Sequence, residues 1–393
     1  MQFIDLAAQQ KRIKSQIDSR IQAVLKHGSY IMGPEVGELE SQLSEFVDIK
    51  HAIGCASGTD ALLMALMALD IGPGEAVFTT PFTFFATAEV ISLLGAVPVF
   101  VDIDSKTFNI DPDKLELAIR ALKSNDPTLH PLPRALSPNS ELRTPNLIPK
   151  GIIAVDLFGL LVNYDPITAI AQKHNFFLIE DAAQSFGGEY KGRRSCSFGQ
   201  IACTSFFPAK PLGCYGDGGM CFTSDDVLAA QLSSIRVHGQ GRDKYNNARI
   251  GLNGRLDTLQ AAILLAKLEI FSEEIELRQQ VARNYTGLLS LNSELITPDI
   301  PSGYQSAWAQ YSLLSKDKAH RSQFQAQLKE AGVPTAIYYP KPLHLQEAFT
   351  GLGYRPGDFP ISEYCADRIF SLPMHPYLTY DDQEKIVEAL GGR

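Results

Sequence analysis

The 393-residue sequence predicts an α/β fold, a mostly parallel central sheet flanked by helices, followed by a smaller C-terminal α+β domain. Two observations predict it. From residue 52 to about 225, apolar strand-like runs alternate with helical patterns, as parallel strands joined by helical crossovers require. Beyond that, one long helical pattern over 255–290 leads into a shorter segment of mixed character.

The elements follow in order. Ile13, Ile17, Ile21 and Leu25 recur every four residues and predict an amphipathic helix over 11–27. Strands are expected at 52–56, 76–80, 97–102, 152–157, 176–180, 201–206 and 219–223. Helices are expected between them at 59–70, 84–94, 112–122 and 163–173. The connection from about 123 to 150 carries six prolines (127, 131, 133, 138, 145 and 149), long for a compact domain. It reads as a solvated surface insertion, with a lid or an oligomer contact as the alternative. In the C-terminal part, strands are expected at 307–314 and 335–339, and helices at 317–331 and 361–369. The division is expected at 1–270 for the large domain, N-terminal helix included, and 271–393 for the small domain with its linking helix.

Composition is that of a globular protein, 45% apolar and 20% charged. The net charge of −9 argues against nucleic acid or an anionic membrane as the main partner, so any phosphate must be held by local donors. No apolar run reaches membrane-spanning length, and Met1-Gln2-Phe3-Ile4-Asp5 lacks the regions of a signal peptide, so a cytoplasmic location is expected. The six cysteines form no C-x-x-C pair and are expected as buried free thiols, with no metal site.

The chemistry is concentrated around Lys210. It follows the apolar stretch Ile201–Phe207 and precedes Gly213, Gly216, Gly218 and Gly219, which permit tight turns and close backbone approach. A lysine held at the end of a buried strand can lose its proton and become an amine nucleophile toward an aldehyde. Asp181 closes the run Phe176–Asp181 at the end of a candidate parallel strand, where α/β ligand sites gather. Its carboxylate suits a pyridinium nitrogen, while Glu180 points to the opposite side. Lysine and acid together imply pyridoxal 5'-phosphate (PLP). Ser57-Gly58-Thr59-Asp60 opens the helix after the first strand; its free N–H groups and dipole form an anion site for the phosphate, to which Ser205 adds a hydroxyl. Gly187–Ser195 resembles a Walker A loop but lacks its lysine, and glycines 213–219 do not match G-x-G-x-x-G.

With these stretches, and with the runs Phe3–Leu6 and Ser371–Pro376, nearly the whole chain resembles the sugar aminotransferases of the DegT/DnrJ/EryC1/StrS family. The resemblance implies PLP fold type I, the aspartate aminotransferase-like architecture. It places Phe84 against the cofactor ring and Gln184 near its phenolic oxygen. It also implies a homodimer with composite active sites, in which Asn253 binds phosphate across the interface and Arg255 reaches the neighbouring site. Residues 236–255 hold Arg236, His238, Arg242, Lys244, Arg249 and Arg255 against Asp243 alone, a local basic patch suited to a diphosphate and a carboxylate. Arg236, His238, Arg242, Arg255 and the small-domain aromatic Tyr339 are the expected substrate contacts. Within the family the resemblance is strongest to enzymes that aminate UDP-2-acetamido-2-deoxy-3-oxo-glucuronate with L-glutamate in O-antigen biosynthesis. Alternatives are amination of a 4-keto or a dTDP-linked 3-keto-6-deoxy sugar, and a non-catalytic regulator on the same fold.

Overall fold

The computed structural model describes residues 1–136, 142–143, 146–243 and 245–391. The N-terminal part is helical: α1 (Leu6–Arg12), α2 (Lys14–His27) and α3 (Pro34–Val47). The helix expected over 11–27 is thus broken at Ile13, whose φ of −116° is not helical. Asp5 caps α1 through Ala8 N–H at 2.9 Å.

Seven strands build the central sheet: β1 (His51–Cys55), β2 (Glu75–Thr79), β3 (Val97–Phe100), β4 (Ile148–Val155), β5 (Phe177–Asp181), β6 (Ile201–Ser205) and β7 (Gly219–Thr223). Their order is β1-β7-β6-β5-β4-β2-β3. Only β7 runs against its neighbours; the pairings among β3, β2, β4, β5 and β6 are parallel. Strand positions alternate between two cores. Phe78, Ile152 and Leu178 pack toward α6 (Pro112–Ser124) and α7 (Tyr164–His174). Val77, Ile153, Ile179 and Ile201 pack with α4 (Gly58–Ala68), α5 (Ala86–Leu93) and α8 (Asp226–Ile235). This is the fold type I arrangement, and it brings the C-terminal ends of β5 and β6 side by side.

Helix α9 (Thr258–Leu288) runs 31 residues, unbroken across residue 270, from the large sheet to the C-terminal part. There β8 (Leu295–Ile296), β9 (Tyr311–Ser315) and β10 (Ile369–Leu372) form an antiparallel sheet backed by α10 (Lys318–Glu330), α11 (Pro360–Arg368) and α12 (Tyr380–Ala389). The strand expected at 335–339 is not formed. Only Ala336 bridges Ser371, because Pro334 and Pro340 remove ladder donors and Ile337, Tyr338 and Tyr339 turn into a cavity instead. The pairing strand is β10, which takes over where α11 ends at Arg368.

The proline-rich connection is not wholly solvated. His130 and Leu132 are buried, His130 against the Phe100 carbonyl at 2.8 Å, and Arg134 N–H donates to Leu352. Ala135–Leu136 pairs with Leu142–Arg143, while Pro138 and Pro145 lie outside the described residues. All six cysteines are free and buried. Among the described residues, no helix is long and apolar enough to cross a membrane.

Candidate active site

Lys210 does not sit on the strand itself. Strand β6 ends at Ser205, and Lys210 lies on a loop that folds back on its own base. Phe206 N–H donates to the Gly218 carbonyl at 2.7 Å, and Cys214 N–H to the Phe206 carbonyl at 2.8 Å. The Lys210 amide is held by the Phe207 carbonyl at 2.9 Å. This aims the side chain into a cavity of about 640 Å³. Among the described residues, Nζ forms no hydrogen bond or ion pair. Desolvation pushes its pKa down to about 8, and the nearby charge of Asp181 only partly opposes this.

Asp181 ends β5, between Cys203 of β6 and Val155 of β4. It is buried and lines the same cavity. Its Oδ2 accepts from Thr87 Oγ1 at 2.8 Å and its Oδ1 from Ala183 N–H at 3.2 Å. Burial raises its pKa, while these two donors and Lys210 pull it back. Glu180, one residue earlier, points to the other face and accepts from Cys196 and Phe198 N–H at 2.7 and 2.8 Å. Gln184 is fixed at both ends: Oε1 accepts from Phe158 N–H at 2.9 Å, and Nε2 donates to the Tyr339 hydroxyl at 3.1 Å.

The opposite end of the cavity is a backbone cradle. Ser57 caps α4 by accepting Asp60 N–H at 3.0 Å, and the first-turn N–H groups of Gly58 and Thr59 have no intrahelical partner. A Cβ on Gly58 would stand 2.6 Å from Ser205 Cβ, and one on Gly219 would stand 2.3 Å from the Ser57 carbonyl. Glycine is therefore required for the helix terminus to close onto β6 and β7.

These features fit PLP. The helix terminus with Thr59 and Ser205 suits its phosphate, Asp181 its ring nitrogen and Lys210 its aldehyde. Phe84 is 57% exposed at the cavity wall, its ring centroid 6.4 Å from that of Tyr339, and offers an aromatic face.

Gly58, Thr59, Phe84, Asp181, Gln184, Ser205, Lys210 and Tyr339 thus line one cavity. The basic segment does not join them within one chain. Arg236 is a correction: it is buried, ion-paired with Glu40 and donating to the Gly54 carbonyl at 3.0 Å, so it braces β1 and is not available to a substrate. Its position at the C-cap of α8, packed against β1, outweighs its membership of a charged run. His238, Arg242 and Asn253 are exposed outside the cavity, and Lys244 lies outside the described residues. Arg255 bridges Cys55 through its backbone, and its Nε is buried without a partner.

The sequence reading missed Ile4, Thr87, Gln310 and Tyr338 as cavity residues. Thr87 lies in the first turn of α5, and its hydroxyl had no motif to mark it. Gln310 and Tyr338 reach the cavity only through the packing of the C-terminal sheet.

Residues 11–391 match the model of the DegT/DnrJ/EryC1/StrS aminotransferase family. The chain is 51% identical over 379 residues, 96% of each chain, to a UDP-2-acetamido-2-deoxy-3-oxo-D-glucuronate aminotransferase of Pseudomonas aeruginosa. It is 40% identical to a protein of Geobacillus stearothermophilus named pleiotropic regulatory protein, over 99% of this chain and 97% of that one. A crystal structure of a DegT DnrJ EryC1 StrS aminotransferase from Brucella abortus superposes with a TM-score of 0.91 at 48% identity, covering 100% of this chain and 98% of the other.

Proposed function

The chain belongs to the DegT/DnrJ/EryC1/StrS aminotransferase family, and from that premise we propose that it transfers the amino group of L-glutamate to the C3 carbonyl of UDP-2-acetamido-2-deoxy-3-oxo-glucuronate. The observation that carries this reading is the meeting, in one cavity, of a lysine with its pKa lowered to about 8, a buried aspartate and a helix-terminal anion cradle.

Bound PLP supplies the electron sink that stabilises negative charge at Cα of the amino donor. The chain's own residues would do the rest. The amine of Lys210, neutral in a substantial fraction at working pH, would attack the aldehyde and, once freed by the donor, carry a proton to and from Cα. Asp181, oriented by Thr87 and Ala183, would pair with the ring nitrogen and keep it protonated. The α4 terminus and Ser205 would fix the phosphate. Because Gln184 Nε2 donates to the Tyr339 oxygen, the hydroxyl proton of Tyr339 is free to be donated to a substrate oxygen.

The acceptor is supported by the Pseudomonas relative and by the concentration of His238, Arg242 and Arg255 in a chain of net charge −9. Those residues lie outside the cavity of their own chain, which is consistent with service to a neighbouring subunit. The exposed apolar residues Tyr30, Ile31, Phe84, Phe207 and Ile250 also favour a homodimer, with Asn253 binding phosphate across the interface. A cytoplasmic enzyme of O-antigen assembly, divided near residue 270 into cofactor-binding and small domains, completes the reading.

The test is discharge of the aminated holoenzyme by a panel of keto nucleotide sugars. Rapid discharge by the 3-oxo uronate supports the reading. Turnover of a 4-keto or a dTDP-linked 3-keto-6-deoxy sugar instead would replace it. The name of the Geobacillus relative favours one other reading, a regulator on the same fold. A protein with no visible band sensitive to borohydride would support that one.

A further inference from the structure

We propose that Lys267 and Gln260, on one face of α9, are positioning residues for Lys210, clamping the return arm of its loop. They are seven residues apart and so project in the same direction. Lys267 is 1% exposed, and its Nζ donates to the Gly213 carbonyl at 2.6 Å. Gln260 Oε1 accepts from Tyr215 N–H at 2.9 Å, and its Nε2 donates to the Tyr215 carbonyl at 3.4 Å. The arm 213–215 is therefore gripped at two points.

The grip reaches Lys210 through contacts that leave no slack. Gly213 is packed so closely that a Cβ there would lie 2.5 Å from the Pro208 carbonyl oxygen and 2.6 Å from that of Phe207. The same Phe207 oxygen holds the Lys210 amide at 2.9 Å. A shift of Gly213 must move the peptide that orients Lys210.

The choice of side chain points the same way. An ammonium buried with a single carbonyl acceptor is costly to desolvate, and burial pushes the Lys267 pKa down to about 8. The charge is also supported by the nearby Glu274 carboxylate and by the Tyr215 ring, 4.3 Å from Nζ. An apolar residue of similar length would leave the buried Gly213 carbonyl without its donor, so the side chain is tied to the placement of that carbonyl. The charged donor gives a shorter and stronger hydrogen bond than a neutral one.

This inference rests on Lys210 being the amine that takes the cofactor. The measurement is the rate at which apo-protein covalently captures PLP, read as growth of the visible band. In that step Lys210 nitrogen bonds to the aldehyde carbon and one water leaves. In Lys267→Met, capture and kcat are each expected to fall about tenfold, the scale of a small misplacement of a reacting group. KM for donor and acceptor should stay within about twofold; the melting temperature should fall because the Gly213 carbonyl loses its donor, so the split between kcat and KM, not stability, separates a positioning role from a purely structural one. Capture at the wild-type rate, whatever the melting temperature, overturns the proposal. If Lys267→Met does not fold, Gln260→Leu decides by the same readout: slowed capture supports the clamp, and unchanged capture overturns it. Lys210→Ala is the control, expected to capture nothing; covalent capture by that variant would remove the functional premise itself.

Discussion

Thr87 Oγ1 donates to Asp181 Oδ2 at 2.8 Å, and the Ala183 amide holds Oδ1 of the same carboxylate, so Asp181 is aimed before any ligand arrives. The carboxylate is buried, which raises its pKa, and Thr87 is the strongest influence drawing it back down. Thr87→Val keeps the shape and removes the donor. Asp181 then protonates at higher pH, and the acid limb of the pH–rate profile moves up. A hydrogen bond to a charged group is worth about 1.5–3 kcal/mol, so single-turnover rates on the acid side of the profile should drop while PLP still binds. An unshifted acid limb would show that Thr87 does not tune Asp181.

Lys210 offers a second pH signature. With its pKa lowered to about 8, the neutral nucleophilic form grows as pH rises through that value. Covalent capture of PLP by apo-protein should accelerate across the same range and level off above it. Lys210→Ala should abolish capture and leave the thermal midpoint near that of the wild type, since Nζ has no hydrogen bond to lose among the described residues. A capture rate flat from pH 7 to 9 would reject this assignment.

Much of the cofactor end was legible because its determinants are local in sequence. Ser57-Gly58-Thr59 reads as strand, cap and helix start, and Asp181 closes an unmistakable apolar strand run. Where the determinant was tertiary, the reading failed. Arg236 looked like one member of a basic run, yet its guanidinium is taken by Glu40, 196 residues away in sequence. A strand is expected at 335–339, but prolines at 334 and 340 break it and let Tyr338 turn toward the cavity beside Tyr339, which is expected to face the substrate. Thr87 is one hydroxyl on a buried helix, and nothing short of the fold identifies it.

The exposed face around Asn253 leads to a prediction about assembly. If the basic segment completes the neighbour's site, a Lys210→Ala chain and an Asn253→Ala/Arg255→Ala chain fail at different halves of the same composite sites. Mixing equal amounts of the two inactive proteins under conditions of subunit exchange should then restore up to about a quarter of wild-type activity, because about half of the dimers are mixed and one of the two sites in each mixed dimer is intact. Demonstrated mixed dimers without activity would separate Asn253 and Arg255 from the neighbouring site.

Away from the chemistry, His375 should set part of the protein's acid sensitivity. It is 4% exposed, its Nδ1 has no hydrogen-bond partner, and the Arg278 guanidinium lies near it. Burial and that positive charge push its pKa down to about 4, with burial the larger cause. In the unfolded chain a histidine titrates near 6.5. Between these values the unfolded state binds a proton that the folded state refuses, so the stability contribution is complete above about pH 6.5 and is lost as pH falls toward 4. Over the fall from pH 7 to pH 5 the loss amounts to about 2 kcal/mol. His130 and His344 are shifted in the same direction by burial and add to the overall acid sensitivity, so the informative quantity is a difference between proteins. His375→Gln replaces the titrating ring by a neutral amide. Its thermal midpoint should fall less between pH 7 and pH 5 than that of the wild type, even if it starts lower. Parallel declines in the two proteins would mean that His375 takes up its proton without unfolding the structure around it.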